Sequence, residues 1–347
     1  MFDSLRRVVS IAALLVPPAV STEAAPIAIA VHGGAGTLDR AEMTPEREAE
    51  YRAELERALR AGHAVLSEGG SAVEAVVAAI VILEDSPLFN AGRGAVFTHD
   101  GIVELDVSLM CGYTGSAGAA AGVRTVRNPI RLARSVMEDS PHVLLAGQGA
   151  EEFAAEQGLE LVANEYFHTE KRKRDLERVQ ASSAGSTAVR VDGADADQDT
   201  PAFLATARYG TVGAVALDAS GRLAAGTSTG GMTNKRWGRI GDSPLIGAGT
   251  FADRRCAVSC TGHGEFFIRG AIAQDVAARM EYRGADLVVA AREAIHEKLA
   301  GAGGTGGLVA MDAEGNVAMP FNTRGMYRGA MFADGRIEIA IFAEAEN

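Results

Sequence analysis

A threonine directly behind a glycine opens the apolar run Tyr209-Gly210-Thr211-Val212-Gly213-Ala214-Val215-Ala216-Leu217-Asp218. Scission between Gly210 and Thr211 would give that threonine a free α-amine beside its hydroxyl. An α-amino group titrates at roughly 7.7–8.0, so near neutral pH one residue would carry both a nucleophile and its general base. No separate histidine is then required.

The run continues through Asp218-Ala219-Ser220-Gly221-Arg222 into Leu223-Ala224-Ala225-Gly226-Thr227-Ser228-Thr229. A three-residue loop with Gly221 in the left-handed position makes this a β-hairpin, and counting outward from it sets Thr211 opposite Thr229. Opposed side chains lie roughly 4.5–5.5 Å apart at Cβ, close enough for one hydroxyl to orient another. Taken alone, such a pair also suits an ordinary strand.

Beyond the hairpin, Gly230-Gly231-Met232-Thr233-Asn234-Lys235-Arg236-Trp237-Gly238-Arg239-Ile240-Gly241-Asp242-Ser243-Pro244 carries a cation and an anion close together in a Gly/Pro-shaped loop. Arg239 can clamp a carboxylate and Asp242 can accept from an ammonium, so the two together can read the free end of an amino acid. Then Ser259-Cys260-Thr261-Gly262-His263-Gly264-Glu265 opens a helical run over Phe266 to Tyr282. Backbone N–H groups at such a turn suit a developing oxyanion, with the Thr261 hydroxyl and Gly262 N–H as candidate donors.

These four segments resemble the isoaspartyl peptidase/plant-type L-asparaginase family of N-terminal nucleophile hydrolases. So do Val31-His32-Gly33-Gly34-Ala35-Gly36, Ser86-Pro87-Leu88-Phe89-Asn90-Ala91-Gly92-Arg93-Gly94 and Pro320-Phe321-Asn322-Thr323-Arg324-Gly325. The resemblance covers most of the chain after residue 26. It implies an α+β fold, a four-layer αββα sandwich, and self-cleavage before Thr211 into fragments 22–210 and 211–347 that form one catalytic domain. It also implies hydrolysis of β-aspartyl dipeptides and of the L-asparagine side-chain amide, with release of L-aspartate. By analogy Thr211 is the nucleophile, Thr229 its hydroxyl neighbour, and Thr261 and Gly262 the oxyanion donors. Arg239, Asp242, Gly262, Gly264 and Asn90 fall to the substrate. No catalytic cofactor is implied. A structural sodium ion would sit on main-chain carbonyls of Leu83, Glu84, Ser86, Phe89, Ala91 and Arg93, and the assembly would be a homodimer of two-fragment subunits. Tyr209 before the scissile glycine and His263 near the substrate are departures from the family pattern.

Two competing patterns are present. Gly226-Thr227-Ser228-Thr229-Gly230 matches the G-x-S-x-G nucleophile elbow of serine esterases, with His32-Gly33-Gly34-Ala35-Gly36 as its oxyanion loop and His296 as a late base. That reading needs a helix directly after Ser228, and Gly-Gly-Met-Thr-Asn-Lys is a poor helix start. Cys256, Cys260, His263 and Glu265 fit neither a Cys-x-x-Cys knuckle nor a His-Glu-x-x-His helix. A periplasmic amino-acid binding protein could use Arg239 and Asp242 without chemistry, and would remain one continuous chain.

The chain has 347 residues, 47% of them hydrophobic, enough for a large core. A net charge of −12 argues against a nucleic-acid partner. Arg6-Arg7 before Val8 to Val16 and Pro17-Pro18-Ala19-Val20-Ser21 reads as a signal peptide over residues 1–21, too short to span a bilayer, and predicts a periplasmic or secreted protein. No other stretch is a membrane candidate. Cys256 and Cys260 could pair in such a compartment if the backbone allows it.

The elements that must position the site are also readable. Thr44-Pro45 caps an amphipathic helix to about Ser67, Ser71-Ala72-Val73-Glu74 is a capping box opening an apolar helix to Leu83, and Asn128-Pro129 starts a third. Ile27–Val31 and Val103–Met110 read as strands. The Asp-x-x-Gly hairpin recurs at Leu308–Met319, which favours stacked antiparallel sheets. Residues 170–207 turn charged and then Asp/Ala/Gly-rich, and predict a mobile linker ending at the cut site.

Overall fold

The computed structural model describes residues 26–36, 40, 43–184 and 210–343. The expected signal peptide and residues 185–207 of the expected linker lie outside the described residues.

From the first described strand to the hairpin, the elements are β1 (Ala28–Gly36), α1 (Pro45–Ser67), α2 (Ala72–Asp85), β2 (Leu105–Cys111), β3 (Ala117–Val123), α3 (Pro129–Asp139), β4 (Leu144–Ala146), α4 (Gly147–Glu156) and α5 (Glu170–Ala184). The hairpin β5 (Val212–Leu217) and β6 (Leu223–Thr229) follows, then β7 (Thr250–Ala252), β8 (Cys256–Gly262), α6 (Gly264–Gly270), α7 (Ile272–Arg283), α8 (Leu287–Glu293), β9 (Gly306–Asp312), β10 (Val317–Ala318), β11 (Gly325–Phe332) and β12 (Ile337–Phe342). One sheet runs β12-β11-β1-β5-β6-β2-β3-β4 and the other β10-β9-β8-β7. Pairing is antiparallel except between β3 and β4.

Alternation along the strands builds the layers. In β5, Val212, Ala214 and Ala216 pack with Leu55, Val76, Ile80 and Ile130 of α1, α2 and α3, whereas Val215 and Leu217 meet Ala257, Val309 and Met311 of the smaller sheet. Cys256, Val258, Cys260, Leu308 and Ala310 point the other way, onto α7 and α8. The result is helices, sheet, sheet, helices: the αββα sandwich. Strands buried on both faces need apolar residues at every position, which is why β5 and β6 read as continuous apolar runs.

The caps follow from local chemistry. Thr44 accepts from the Arg47 N–H and Pro45 occupies the first turn of α1, while Ser71 and Glu74 satisfy each other's backbone donors at the start of α2. The hairpin closes as counted, with Gly221 at φ 71°, Leu217 opposite Leu223 and Val212 opposite Ser228.

Three expectations are corrected. Residues 170–184 are helix α5 rather than linker: Leu176 and Val179 are buried and Arg172 Nε donates to the Gly94 carbonyl at 2.7 Å. The helical run after Gly264 is split at Ala271, which takes a left-handed φ of 46° between α6 and α7. Cys256 and Cys260 are both free. Four steps along one strand set them roughly 13 Å apart, beyond disulfide reach.

Candidate active site

Strand parity decides what can meet. Thr211, at the mouth of β5, and Thr227 and Thr229 of β6 share the face of Val215 and Ala225, which looks at the second sheet. Ser228 faces the opposite way and donates to Glu84 Oε1 of α2 at 2.7 Å. It is fully buried mid-strand, and His296 is exposed in the π-helical turn Ala294–Leu299. The elbow geometry of a serine esterase is therefore not formed.

Thr211 Oγ1 donates to Thr229 Oγ1 at 3.1 Å. Thr229 Oγ1 in turn lies 3.2 Å from the Gly210 carbonyl and accepts the Gly231 N–H at 2.9 Å. Each hydroxyl has one proton, so the order is fixed: Thr211 gives to Thr229, and Thr229 gives to the carbonyl of the Gly210–Thr211 peptide bond. Asn90 Nδ2 donates to the same carbonyl at 2.6 Å and to the Gly231 carbonyl at 2.8 Å, while Asn90 Oδ1 accepts from the Val96 N–H at 2.9 Å. Carbonyl partners on one side and an amide on the other fix the orientation of the Asn90 side chain.

Gly34, at φ 111°, lies against this bond. A Cβ there would sit 2.8 Å from Gly210 Cα and 3.1 Å from Thr211 N. The following residue, Ala35, donates its N–H to Thr261 Oγ1 at 3.1 Å, so strand β1 is tied to the end of β8.

Gly210, Thr211, Thr229, Gly231, Arg239, Asp242 and Gly262 line one narrow cleft. Thr261 is buried behind it, and Gly264 packs against the readers: a Cβ there would lie 2.8 Å from Asp242 Oδ1 and 2.9 Å from Arg239 Nη2.

The loop between β6 and β7 has a fixed shape in its buried part, Met232 to Lys235, and an exposed tip at Trp237. Asn234 and Trp237 adopt left-handed φ values of 66° and 56°, and the buried Lys235 Nζ donates to the Glu104 carbonyl at 3.0 Å. Arg239 does not pair with Asp242. Its Nε and Nη2 each donate to Glu265, both at 2.9 Å, and His263 Nε2 lies 3.2 Å from Glu265 Oε2. Burial works against the Glu265 carboxylate, but hydrogen bonds from His263 and Arg239 hold it well below the usual carboxylate range. Asp242 is buried with Oδ2 lacking a hydrogen-bond partner, and burial pushes its carboxyl up to about 7 although Arg239 pulls it down. A buried acceptor without a donor costs roughly 1–3 kcal/mol, which an incoming ammonium can offset.

Sequence reasoning placed Glu265 only in a spurious metal pattern. Cys256 and Cys260 face the helices of α7 and α8, away from it. The one usable signal was its acidic position in the first turn of α6, beside the candidate oxyanion turn. Nothing local linked it to Arg239. In the loop from Leu83 to Arg93, the Arg93 N–H donates to the Glu84 carbonyl at 2.7 Å, and a Cβ on Gly94 would meet the Pro87 and Phe89 carbonyls at 2.6 and 2.8 Å. Main-chain oxygens gathered in this way are the donors a hard cation prefers.

Comparison with known proteins gives the family of the chain. The isoaspartyl peptidase of Escherichia coli (strain K12) is 50% identical over 317 residues, covering 91% of this chain and 96% of that protein. A probable isoaspartyl peptidase/L-asparaginase 2 of Arabidopsis thaliana is 45% identical over 324 residues, 91% of this chain and 98% of that protein. The isoaspartyl peptidase/L-asparaginase of Mus musculus is 38% identical over 326 residues, 94% of each. The family profile described as asparaginase matches residues 25–341, which takes in both sheets and every residue of the cleft, and the chain accordingly belongs to the asparaginase family of N-terminal nucleophile hydrolases.

Proposed function

We propose that this chain cuts itself between Gly210 and Thr211 and then uses the freed Thr211 to hydrolyse β-aspartyl dipeptides and the side-chain amide of L-asparagine. The observation that carries the reading is the fixed proton order Thr211 to Thr229 to the Gly210 carbonyl, with Asn90 as second donor to that oxygen. Both donors already point at the oxygen on which charge would develop, so little reorganisation is needed.

In the first reaction Thr211 Oγ1 attacks the Gly210 carbonyl carbon and its proton passes to Thr229. As the C–N bond breaks, Thr229 passes that proton on to the departing nitrogen, and Gly210 is left as an ester on Thr211. Water then hydrolyses the ester. In the second reaction the α-amine of Thr211 takes the hydroxyl proton as Oγ1 attacks the substrate's side-chain carbonyl. Ammonia or an amino acid departs carrying a proton, and water releases aspartate from the acyl-threonine. Gly262, in the same cleft, would donate its N–H to the oxyanion, together with Thr261.

Arg239 would meet the substrate α-carboxylate and Asp242, short of one donor, its α-ammonium. Gly264 is small enough to let both approach. The carbonyls of Leu83, Glu84, Ser86, Phe89, Ala91 and Arg93 would hold a sodium ion that stiffens the loop carrying Asn90, and no proton or bond in either reaction passes through it. Export to a periplasm and assembly as a homodimer of two-fragment subunits complete the reading.

A denaturing gel of purified protein, followed by N-terminal sequencing of the smaller fragment, tests it. Two bands with Thr211 as the new N-terminus, and a single inactive band for Thr211→Ala, are expected. A processed Thr211→Ala protein, or a single uncut band that turns over β-aspartyl dipeptides, would overturn it.

A further inference from the structure

His32 is fully buried between the two sheets, at the register shift between His32 and Gly34 in β1, and neither reaction above uses it. Its Nδ1 lies 2.9 Å from the carbonyl oxygen of Thr211. A carbonyl only accepts, so Nδ1 carries the proton. Burial lowers the imidazole to about 3, so the ring is neutral and Nε2 is a bare acceptor. At 2.9 Å from Nε2 stands Ser259 Oγ, which must therefore donate.

That assignment propagates. With the Ser259 proton committed, the Thr227 proton has two acceptors, Ser259 Oγ at 2.7 Å and the Gly249 carbonyl at 3.3 Å, and the shorter contact takes it. Thr250 Oγ1 must then donate to Thr227 at 2.5 Å. Ser108 Oγ ends the chain 2.7 Å from Thr250 and 2.6 Å from the carbonyl of Ser243, the residue after Asp242. Four hydroxyls and one imidazole, all buried, thus form one continuous line of contacts from the substrate-reading loop to the backbone of the nucleophile, with the single Ser108 proton shared between Thr250 Oγ1 and the Ser243 carbonyl.

The space for this chain is built in. A Cβ on Gly213 would lie 1.9 Å from Ser259 Oγ and 2.4 Å from His32 Nε2, so the hydrogen bond between them passes over the one position in β5 that has no side chain to obstruct it. The residues come from four strands, β1, β2, β6 and β8, plus Thr250 of β7, each on the face turned toward the other sheet. Aligned hydrogen bonds in a dry interior reinforce one another, and interrupting one strands its neighbours.

We propose that His32, Ser259, Thr227, Thr250 and Ser108 are positioning residues that lock the Thr211 carbonyl, and with it the direction of the Thr211 hydroxyl and amine, to the loop carrying Asp242. This rests on the reading of Thr211 as nucleophile. Their contribution lies in turnover rather than in substrate affinity, because none of the five lines the cleft. Loss of one link lets the Thr211 carbonyl swing and spoils the attack geometry.

The test compares Thr227→Val, which keeps the shape and removes the donor, with Thr227→Ser, which keeps the donor, and with Ser259→Ala. Turnover of a β-aspartyl dipeptide is measured per newly exposed Thr211 N-terminus. Thr227→Val and Ser259→Ala are expected to lower kcat on the order of tenfold to a hundredfold, as small misplacements of a reacting group do, with KM within about twofold. Thr227→Ser is expected to stay within about threefold of the parent kcat. Unchanged kcat in Ser259→Ala, a loss borne mainly by KM, or a Thr227→Ser as slow as Thr227→Val would overturn the relay. If Thr227→Val does not fold, the Ser259→Ala and Thr227→Ser pair decides by the same criteria. Thr211→Ala serves as the separate control: activity there defeats the nucleophile assignment, whereas an inactive Thr211→Ala beside a fully active Ser259→Ala defeats only the relay.

Discussion

Arg239 and Glu265 form a two-pronged ion pair at the cleft, with Nε on Oε1 and Nη2 on Oε2, both at 2.9 Å. The edge of the guanidinium best suited to a carboxylate is thus already filled from within the protein, and a substrate carboxylate is left with Nη1 and the outer face of Nη2. Glu265 fixes the fork rather than competing for it, since an unpinned arginine would have to lose its rotamer freedom on each binding event.

Glu265→Ala is accordingly expected to raise KM for β-aspartyl dipeptides about tenfold, equivalent to about 1.4 kcal/mol, while kcat changes far less. Steady-state kinetics on the processed protein checks this. A lower KM in the variant would mean that Glu265 repels the substrate carboxylate more than it orders Arg239.

On the proposed reading, Asp242 would make binding depend on pH. Its carboxyl is pushed up to about 7 by burial, against the pull of Arg239, so below that pH it is protonated and offers an ammonium no charge. Affinity for L-aspartate should therefore strengthen as pH rises through about 7 and weaken by up to about tenfold for each unit below it. Asp242→Asn should bind weakly with a profile that is flat over roughly pH 5 to 8. Calorimetric titration with L-aspartate distinguishes the two. A parent profile flat across that window would remove Asp242 as the ammonium reader.

Asn90 would carry more of the proposed self-cleavage than its sequence context suggested. Its side chain holds the Gly210 carbonyl, the Gly231 carbonyl and the Val96 N–H together. Asn90→Ala removes one of two donors on the scissile carbonyl and should slow self-cleavage on the order of a hundredfold, as loss of an oxyanion donor does. A time course of fragment appearance on a denaturing gel reads the rate directly. Cleavage at the parent rate would leave Thr229 as the sole effective donor.

What could be read from the sequence was what short-range chemistry decides. The Gly221 turn fixed the register of β5 and β6, and the register alone brought Thr211 to Thr229. The Thr44 and Ser71 caps are likewise contacts within a few residues. Long-range pairing was not readable. Arg239 and Asp242 read as two free ends for a ligand, whereas Arg239 already has a partner in Glu265, which arrives from the far side of β8. Helix α5 looked like linker because its composition is charged, yet Arg172 spends that charge on the Gly94 carbonyl and Leu176 and Val179 reach the core. The His32 chain was hidden because its members are ordinary strand residues, and only the stacking of two sheets sets them in line.

Gly34 offers the sharpest test of how the scissile bond is held. Its φ of 111° is strained for any residue with a Cβ, and an added methyl would press on Gly210 Cα at 2.8 Å and Thr211 N at 3.1 Å. Both contacts are backbone, so neither can rotate away. The cheapest relief is to push the Gly210–Thr211 peptide off Asn90 and Thr229, which separates the attacked carbonyl from its donors. Gly34→Ala should therefore lose roughly 1–3 kcal/mol of stability from the backbone alone and cut itself more slowly than the parent. Thermal unfolding of the uncut form and the rate of fragment appearance report the two effects separately. A variant that cuts at the parent rate despite a lowered Tm would show that the Gly34 contact supports the fold and not the attack.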